Sequence, residues 1–259
     1  MNVSHLKLTH GRFLFHAKML QKISITTDLI EEIVMDIDFT PFFKKYEEVL
    51  AMADKAFERV KNENSECVKC KTKCSDCCYA LFDLYLIEAL YINDKFNKKF
   101  KEGEREQLIE KSNIADRTIY KLKRKAYKDL ESGKDENELL SKMAEERVRC
   151  PLLNDDGMCD FYEYRPITCR LYGIPISIGG VSHTCGLSAF TEGRQYPTVN
   201  LGKIHNKLYE ISVELVKEIK SRHVKMADVL VPLSMALLTI YDEGYLGIGD
   251  IDKTDTKDK

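Results

Sequence analysis

The feature that most constrains this 259-residue chain is the spacing of its nine cysteines. Five of them fall within twelve residues, and the other four are spread over a second segment. A two-residue gap lets two thiolates of one tight turn reach the same metal ion, and two pairs in the first group have that gap. The sequence therefore predicts a metal site for which all nine cysteines are candidate ligands: Cys67, Cys70, Cys74, Cys77, Cys78, Cys150, Cys159, Cys169 and Cys185.

The N-terminal sequence predicts the cellular compartment of the protein and thus the redox state of these thiols. Its scattered Lys, Arg and His do not form the charged, apolar and small-residue regions of a signal peptide, so we expect a cytoplasmic protein. In that reducing compartment clustered cysteines more often hold metal or do redox work than form disulfides. The mixed character of the first residues leaves open whether translation begins at Met1 or Met19.

Composition and charge limit the partners. The net charge is −2, and acidic and basic residues are interspersed, which argues against a dedicated nucleic-acid binder. The longest uncharged stretch contains Pro175 and several glycines, so no membrane span is expected. The predicted partners are a metal ion or cluster and, if the chain is an enzyme, a protein substrate, with no nucleic acid and no membrane.

Hydrophobic periodicity predicts a mainly α fold, a helical domain with two irregular cysteine-bearing loops that converge on a metal site. We expect an N-terminal extension over residues 1–40, a single metal-binding domain over 41–245 and a flexible tail over 246–259. Helices are predicted over about 41–62, from near Cys77 to Phe96 with Ser75 as cap, over two stretches of 101–149 broken near Gly133, and over about 202–221 and 226–242.

The adjacent Cys77 and Cys78 bear on the type of metal centre. In the first turn of a helix, free backbone N–H groups and the helix dipole would stabilise their thiolates. Neighbouring helical residues point about 100° apart, which argues against both binding one mononuclear ion and favours two neighbouring sites or one polynuclear cluster. We therefore favour an iron–sulfur cluster slightly over zinc, and both remain open.

Two groups of residues resemble a known family. One is Cys74-x-x-Cys77-Cys78. The other runs from Cys150-Pro-Leu-Leu through Gly157-Met-Cys159 and Tyr162-x-x-Arg165-Pro166 to Cys169-Arg170. Together they resemble the YkgJ-type cysteine-cluster family of CxxCxxCC zinc- or iron-chelating proteins, over a core of about 67–185. One departure is the gap of three residues between Cys70 and Cys74 where the family name implies two.

The resemblance implies a metal-binding protein with a redox, chelating or structural role. Some members of the family resemble flagellin lysine N-methylases, so an S-adenosylmethionine-dependent protein lysine N-methylase is the enzymatic alternative, beside an iron–sulfur oxidoreductase. A third possibility is an interaction module folded by zinc. The sequence names no catalytic residue.

Overall fold

The computed structural model describes residues 37–249. Most of the predicted extension, the alternative start at Met19 and the tail beyond residue 249 lie outside them. The described chain is mainly helical, as predicted. Its helices are α1 (Thr40–Glu63), α2 (Leu86–Lys99), α3 (Glu102–Glu131), α4 (Glu136–Glu145), α5 (Ile167–Leu171), α6 (Leu201–Glu218), α7 (Leu233–Leu238) and α8 (Glu243–Leu246).

Helix α1 confirms the first helical prediction. Pro41 stands in its first turn, where a missing N–H costs nothing. Its apolar residues recur at helical spacing and bury one stripe against α2, α5 and α6. Tyr46 and Ala53 in this stripe have no exposed surface.

Helix α2 is central to the core, but its predicted start near Cys77 is wrong. Residues Asp76–Tyr79 form a 3-10 turn, and Ser75 makes no capping hydrogen bond. The chain then runs extended through β1 (Asp83–Leu84), which pairs antiparallel with β5 (Val231–Pro232). Pairing with distant segments satisfies backbone groups that a helix would otherwise use, so tertiary contacts override local helix propensity here.

The charged segment after α2 forms two helices, as predicted. Gly133, at φ +89°, separates α3 from α4, because a residue with a Cβ is strained in that conformation. Lys123 of α3 forms a half-buried ion pair with Asp83 at 2.6 Å, and Asp116 accepts a hydrogen bond from Ser234 of α7. These contacts hold the polar helix pair to the core.

The last part of the chain is less regular than expected. Helix α6 confirms the prediction of a helix over about 202–221, but the single helix predicted over 226–242 is wrong. A 3-10 turn (Met226–Asp228), strand β5, α7 and α8 take its place. Pro232 has no N–H and disfavours helical geometry at Val231, so a helix cannot pass through this point. Val231 instead pairs with Leu84.

A small three-stranded sheet lies within the second cysteine-bearing region and its C-terminal flank. Its strands are β2 (Ile176–Ile178), β3 (Val181–His183) and β4 (Val199–Asn200), in the order β3-β2-β4. The β2–β3 pair is antiparallel and the β2–β4 pair is parallel. Within residues 37–249 no helix has both the length and the apolar composition needed to cross a bilayer.

Candidate metal centre

The first cysteine-bearing segment follows α1 and is fixed to the fold at Cys67. The N–H of Cys67 donates to the carbonyl of Asn64, and its own carbonyl accepts from the N–H of Ala189, both at 2.9 Å. The chain turns at Lys73, which has φ +67°, and enters the 3-10 turn that carries Cys77 and Cys78. Backbone contacts thus contribute to the path of this loop.

The second segment lies beside that turn. The N–H of Cys150 donates to the carbonyl of Cys78 at 2.7 Å, and the N–H of Val148 donates to that of Tyr79 at 3.1 Å. Arg147 forms an isolated β-bridge with Ala80, and its guanidinium pairs with the carboxylate of Asp76. These two backbone hydrogen bonds join residues 72 and 69 positions apart and place Cys150 next to the adjacent pair of cysteines.

Cys159 faces the same region because residues 150–160 form a tight hairpin. Leu153 and Cys159 make a β-bridge, and the N–H of Asp160 donates to the carbonyl of Leu152 at 2.9 Å. Gly157 turns the chain at φ +77°. Phe161, which has no exposed surface, packs against the rings of Phe96 and Phe100 and fixes the end of the hairpin to α2.

Cys169 stands on the short helix α5, which a buried carboxylate holds in place. The same oxygen of Glu88 accepts hydrogen bonds from the hydroxyl of Tyr46 and from the N–H of Ile167, each at 2.8 Å. Arg170 pairs with Asp54 of α1 at 2.6 Å. Burial raises the pKa of Glu88 to about 7, although both hydrogen bonds and Arg170 act in the opposite direction.

Five thiols influence one another electrostatically in this region, and we call them the inner group: Cys77, Cys78, Cys150, Cys159 and Cys169. The neighbouring thiol of Cys78 lowers the pKa of Cys77 to about 7, and Cys77 raises the pKa of Cys78. Burial, reinforced by the neighbouring sulfurs, raises the pKa of Cys150 to about 12 and raises those of Cys159 and Cys169.

The 3-10 turn that carries Cys77 and Cys78 corrects one expectation. The residues do not lie in the first turn of a helix, so no helix dipole acts on their thiolates in the way predicted.

Backbone N–H groups point at three of the sulfurs in a repeated pattern. The N–H two residues further along donates to the sulfur at Cys150, at Cys159 and at Cys185. For Cys185 the donor is Leu187, at 3.4 Å. Hydrogen bonds to a sulfur favour its charged form, and such donors tune metal-bound thiolates. At all three thiols burial outweighs these donors, and the pKa is raised above its ordinary value.

Three further thiols form what we call the outer group: Cys70, Cys74 and Cys185. All three line one small cavity of about 10 Å³ together with Gly173. Burial of the sulfur, with Cys74 and Cys185 nearby, raises the pKa of Cys70 to about 11. Cys185 also donates toward Asp76 at 3.6 Å, which connects the outer group to the turn that carries the inner one.

The two loops meet, but their convergence on a metal site is not shown. Among residues 37–249, no three His, Cys, Asp or Glu side chains have the arrangement needed to hold a metal ion as they stand.

Residues 69–186 match the family model CxxCxxCC, whose description is "Putative zinc- or iron-chelating domain". We call this segment the CxxCxxCC domain, after the family model that it matches. It contains every cysteine of the inner and outer groups, and the match confirms the resemblance to the CxxCxxCC proteins noted in the sequence. No curated protein and no solved structure matches the chain. The family description names neither a methylase nor an interaction module, so those alternatives gain no support.

Cys67 differs from the other eight predicted ligands. It precedes the matched CxxCxxCC domain, only 3% of its surface is exposed, and its thiol donates toward the carboxylate of Glu66 at 3.6 Å. It does not line the cavity of the outer group. Its observed role is to hold the loop through backbone hydrogen bonds.

The donor set of the CxxCxxCC domain fits zinc or iron. Eight thiols supply soft ligands, which both metals accept, and oriented N–H groups support three of them. Gly173 leaves room for the sulfur of Cys70, because a Cβ on residue 173 would overlap that sulfur. The metal ligands would come from the inner group, which consists of Cys77, Cys78, Cys150, Cys159 and Cys169. A bound metal would displace the protons of the thiols that bind it.

Sequence reasoning missed the polar residues that position the CxxCxxCC domain. Glu88 lies in an apolar helix and Asp76 between two cysteines. A lone carboxylate inside an apolar run was the available signal for Glu88, because such a group needs buried partners. Nothing in the sequence indicates that Asp76 accepts from Arg147 and Tyr172, since those partners are distant along the chain.

Proposed function

We propose that the CxxCxxCC domain chelates zinc or iron through the inner group. The observation that carries the proposal is the hydrogen bond from the N–H of Cys150 to the carbonyl of Cys78, which sets the 150–160 hairpin beside the 3-10 turn. In addition, thiols of these two segments raise the pKa of Cys169 on α5. Thiols that raise one another's pKa are costly to ionise together without a cation. A bound metal ion replaces their protons and removes that repulsion.

Of the two metals, we propose iron in an iron–sulfur centre. The inner group has five thiols, one more than a tetrahedral zinc site takes, and two of them, Cys77 and Cys78, are adjacent along the chain. A polynuclear centre can use adjacent sulfurs on different irons. The surrounding side chains include the buried Leu152, Leu153 and Phe161, and such an environment influences the potential of a redox centre.

The role we propose is redox or chelating, in the cytoplasm, where thiols stay reduced. A purely structural role receives less support, because helices α1, α2 and α6 share a packed core that contains none of the eight thiols among its fully buried side chains.

Anaerobic purification followed by metal analysis, sulfide analysis and a visible spectrum tests this function. We expect iron and acid-labile sulfide in the wild-type protein and their loss from the Cys159→Ser variant. Cys67→Ala is the matched control, since it removes a cysteine outside both groups. Colourless protein with stoichiometric zinc would refute the cluster and keep chelation, whereas protein that takes up neither metal would refute chelation as well.

A further inference from the structure

Helix α3 has one face in the core and one face in solvent. The inner face packs against α7 and buries small and apolar residues from Leu108 to Ala126. The opposite face carries seven exposed charged residues within an arc of about 100° around the helix axis. We call this the outer face of α3. Its charged residues are Glu106, Glu110, Arg117, Lys121, Arg124, Lys125 and Lys128.

The two signs of charge are separated along the outer face. Both acidic residues precede Ile114, and all five basic residues follow it. Ile114 itself is 57% exposed at the boundary between the two halves. None of the seven charged residues forms an ion pair with another residue between 37 and 249. The outer face therefore has an acidic half, an apolar residue and a basic half, in that order.

This arrangement does not stabilise α3 on its own. Glu106 and Glu110 are four positions apart, as are Arg117 and Lys121, and like charges at that spacing repel across one helical turn. The helix dipole favours acidic residues at the start and basic residues at the end, but its effect is confined to the first and last turns. Helix α3 has 30 residues, so Glu110 and Lys121 lie well inside it. A complementary surface outside the chain would pair both halves.

We propose that the outer face of α3 binds the same face of a second copy of this chain, with the two helices antiparallel around a twofold axis near position 115. Such an axis sets Glu110 beside Lys121, and Glu106 beside Arg124, of the second copy, because the members of each pair lie nearly equally far from the axis in opposite directions. The members of each pair also share nearly one angular position on α3, since they are 11 and 18 residues apart, close to whole numbers of turns. The twofold symmetry forms each ion pair twice.

The middle of this interface is apolar. With the axis near position 115, the two copies of Ile114 lie about 4 Å apart along the helix direction, so their side chains can contact each other. Tyr120, which is 39% exposed, stands at the edge of the same face. A single helix face offers little area, so the dimer is weak and depends on its exposed ion pairs. Helix α3 contains no cysteine, and the interface is therefore independent of metal chelation.

Sedimentation velocity of the full, reduced chain tests this interface. We expect a dimer at about 0.01 M salt and a monomer at about 1 M, because the Debye length falls from about 30 Å to about 3 Å. The variants Glu106→Lys/Glu110→Lys and Lys121→Glu/Arg124→Glu should each raise the dimer dissociation constant roughly tenfold or more, because every ion pair becomes a repulsive contact. The altered residues are exposed, so the variants should fold, and circular dichroism verifies this.

A mixture of the two charge-reversed variants tests the antiparallel pairing. Every ion pair is complementary again between one copy of each variant, so the equimolar mixture should form a heterodimer with about the affinity of the wild-type dimer. A single chain that carries all four substitutions should form a homodimer for the same reason.

The matched control is Glu210→Lys/Glu218→Lys, which makes the same change of charge at two exposed residues of α6 and should leave the dimer intact. Wild-type protein that stays monomeric at low salt would overturn the interface, and so would a dimer that both reversals leave unchanged. A mixture that stays monomeric would overturn the antiparallel arrangement. A monomer that binds heparin through the basic half would assign the outer face to a polyanion instead of a second copy.

Discussion

The sulfur of Cys70 occupies the space that a side chain on Gly173 would need. Cys70 lies in the first cysteine-bearing loop and Gly173 directly after α5, so the contact joins the two cysteine-bearing regions 103 positions apart.

Replacing Gly173 by Ala should therefore displace Cys70. Since the overlap involves a sulfur in a loop, we expect a loss of about 1–3 kcal/mol in unfolding free energy, the usual cost of overpacking. Urea denaturation measures this loss. Gly186→Ala is the matched control, because a Cβ there meets nothing within 4 Å. Equal behaviour of the two variants would contradict the close approach.

Glu88 should make stability depend on pH. Its pKa is about 7 in the folded protein, against 4.5 as the ordinary value, so the folded state binds more protons than the unfolded state between these values. The unfolding free energy should therefore fall as pH rises from about 4.5 to 7, by an amount on the order of 2–3 kcal/mol.

The Glu88→Gln variant isolates this contribution. Both hydrogen bonds from Tyr46 and Ile167 end on one oxygen, which an amide retains. Urea denaturation of both proteins at about pH 5 and about pH 7.5 should show a smaller decrease for the variant. A pH slope equal to that of the wild-type protein would show that Glu88 ionises normally.

Phe161 should be essential to the position of Cys159. Its fully buried ring contacts Phe96 and Phe100, so Phe161→Ala should cost about 3–5 kcal/mol. The neighbouring Tyr162 is 64% exposed and stacks only on Arg165, and Tyr162→Ala should cost about 1 kcal/mol or less. Thermal denaturation compares the two variants. We also expect reduced iron content for Phe161→Ala alone, and comparable losses in both would contradict this role.

Removal of metal should destabilise the cysteine-bearing loops more than the helical core. A ligand present at a thousand times its dissociation constant stabilises a protein by about 4 kcal/mol, and a strong chelator removes that amount. The far-ultraviolet circular dichroism should change little, since α1, α2, α3 and α6 contain none of the cysteines. Limited proteolysis should then cleave first within 64–79 or 150–190. An unchanged melting temperature after verified metal loss would argue that no stabilising metal was bound.

Local patterns predicted the elements that depend on local forces. The apolar stripe after Pro41, the break at Gly133 and the helix over about 202–221 follow from periodicity and from the conformational properties of Pro and Gly. The helix predicted from Cys77 and the helix predicted over 226–242 failed for a shared reason. Strands β1 and β5 pair with each other, and a partner 147 positions away leaves no trace in the local pattern.

The sequence by itself determined that the chain has a helical core, that its thiols are concentrated in two regions, and that residues 69–186 have the composition of a CxxCxxCC domain. These properties depend on residue types and on their spacing along the chain. Only the tertiary structure decided that Cys77 and Cys78 lie in a 3-10 turn, that Cys70 faces Gly173, and that Cys67 is buried with its thiol directed at Glu66. Distances between side chains depend on how remote backbone segments hydrogen-bond and pack, and sequence spacing does not encode those contacts.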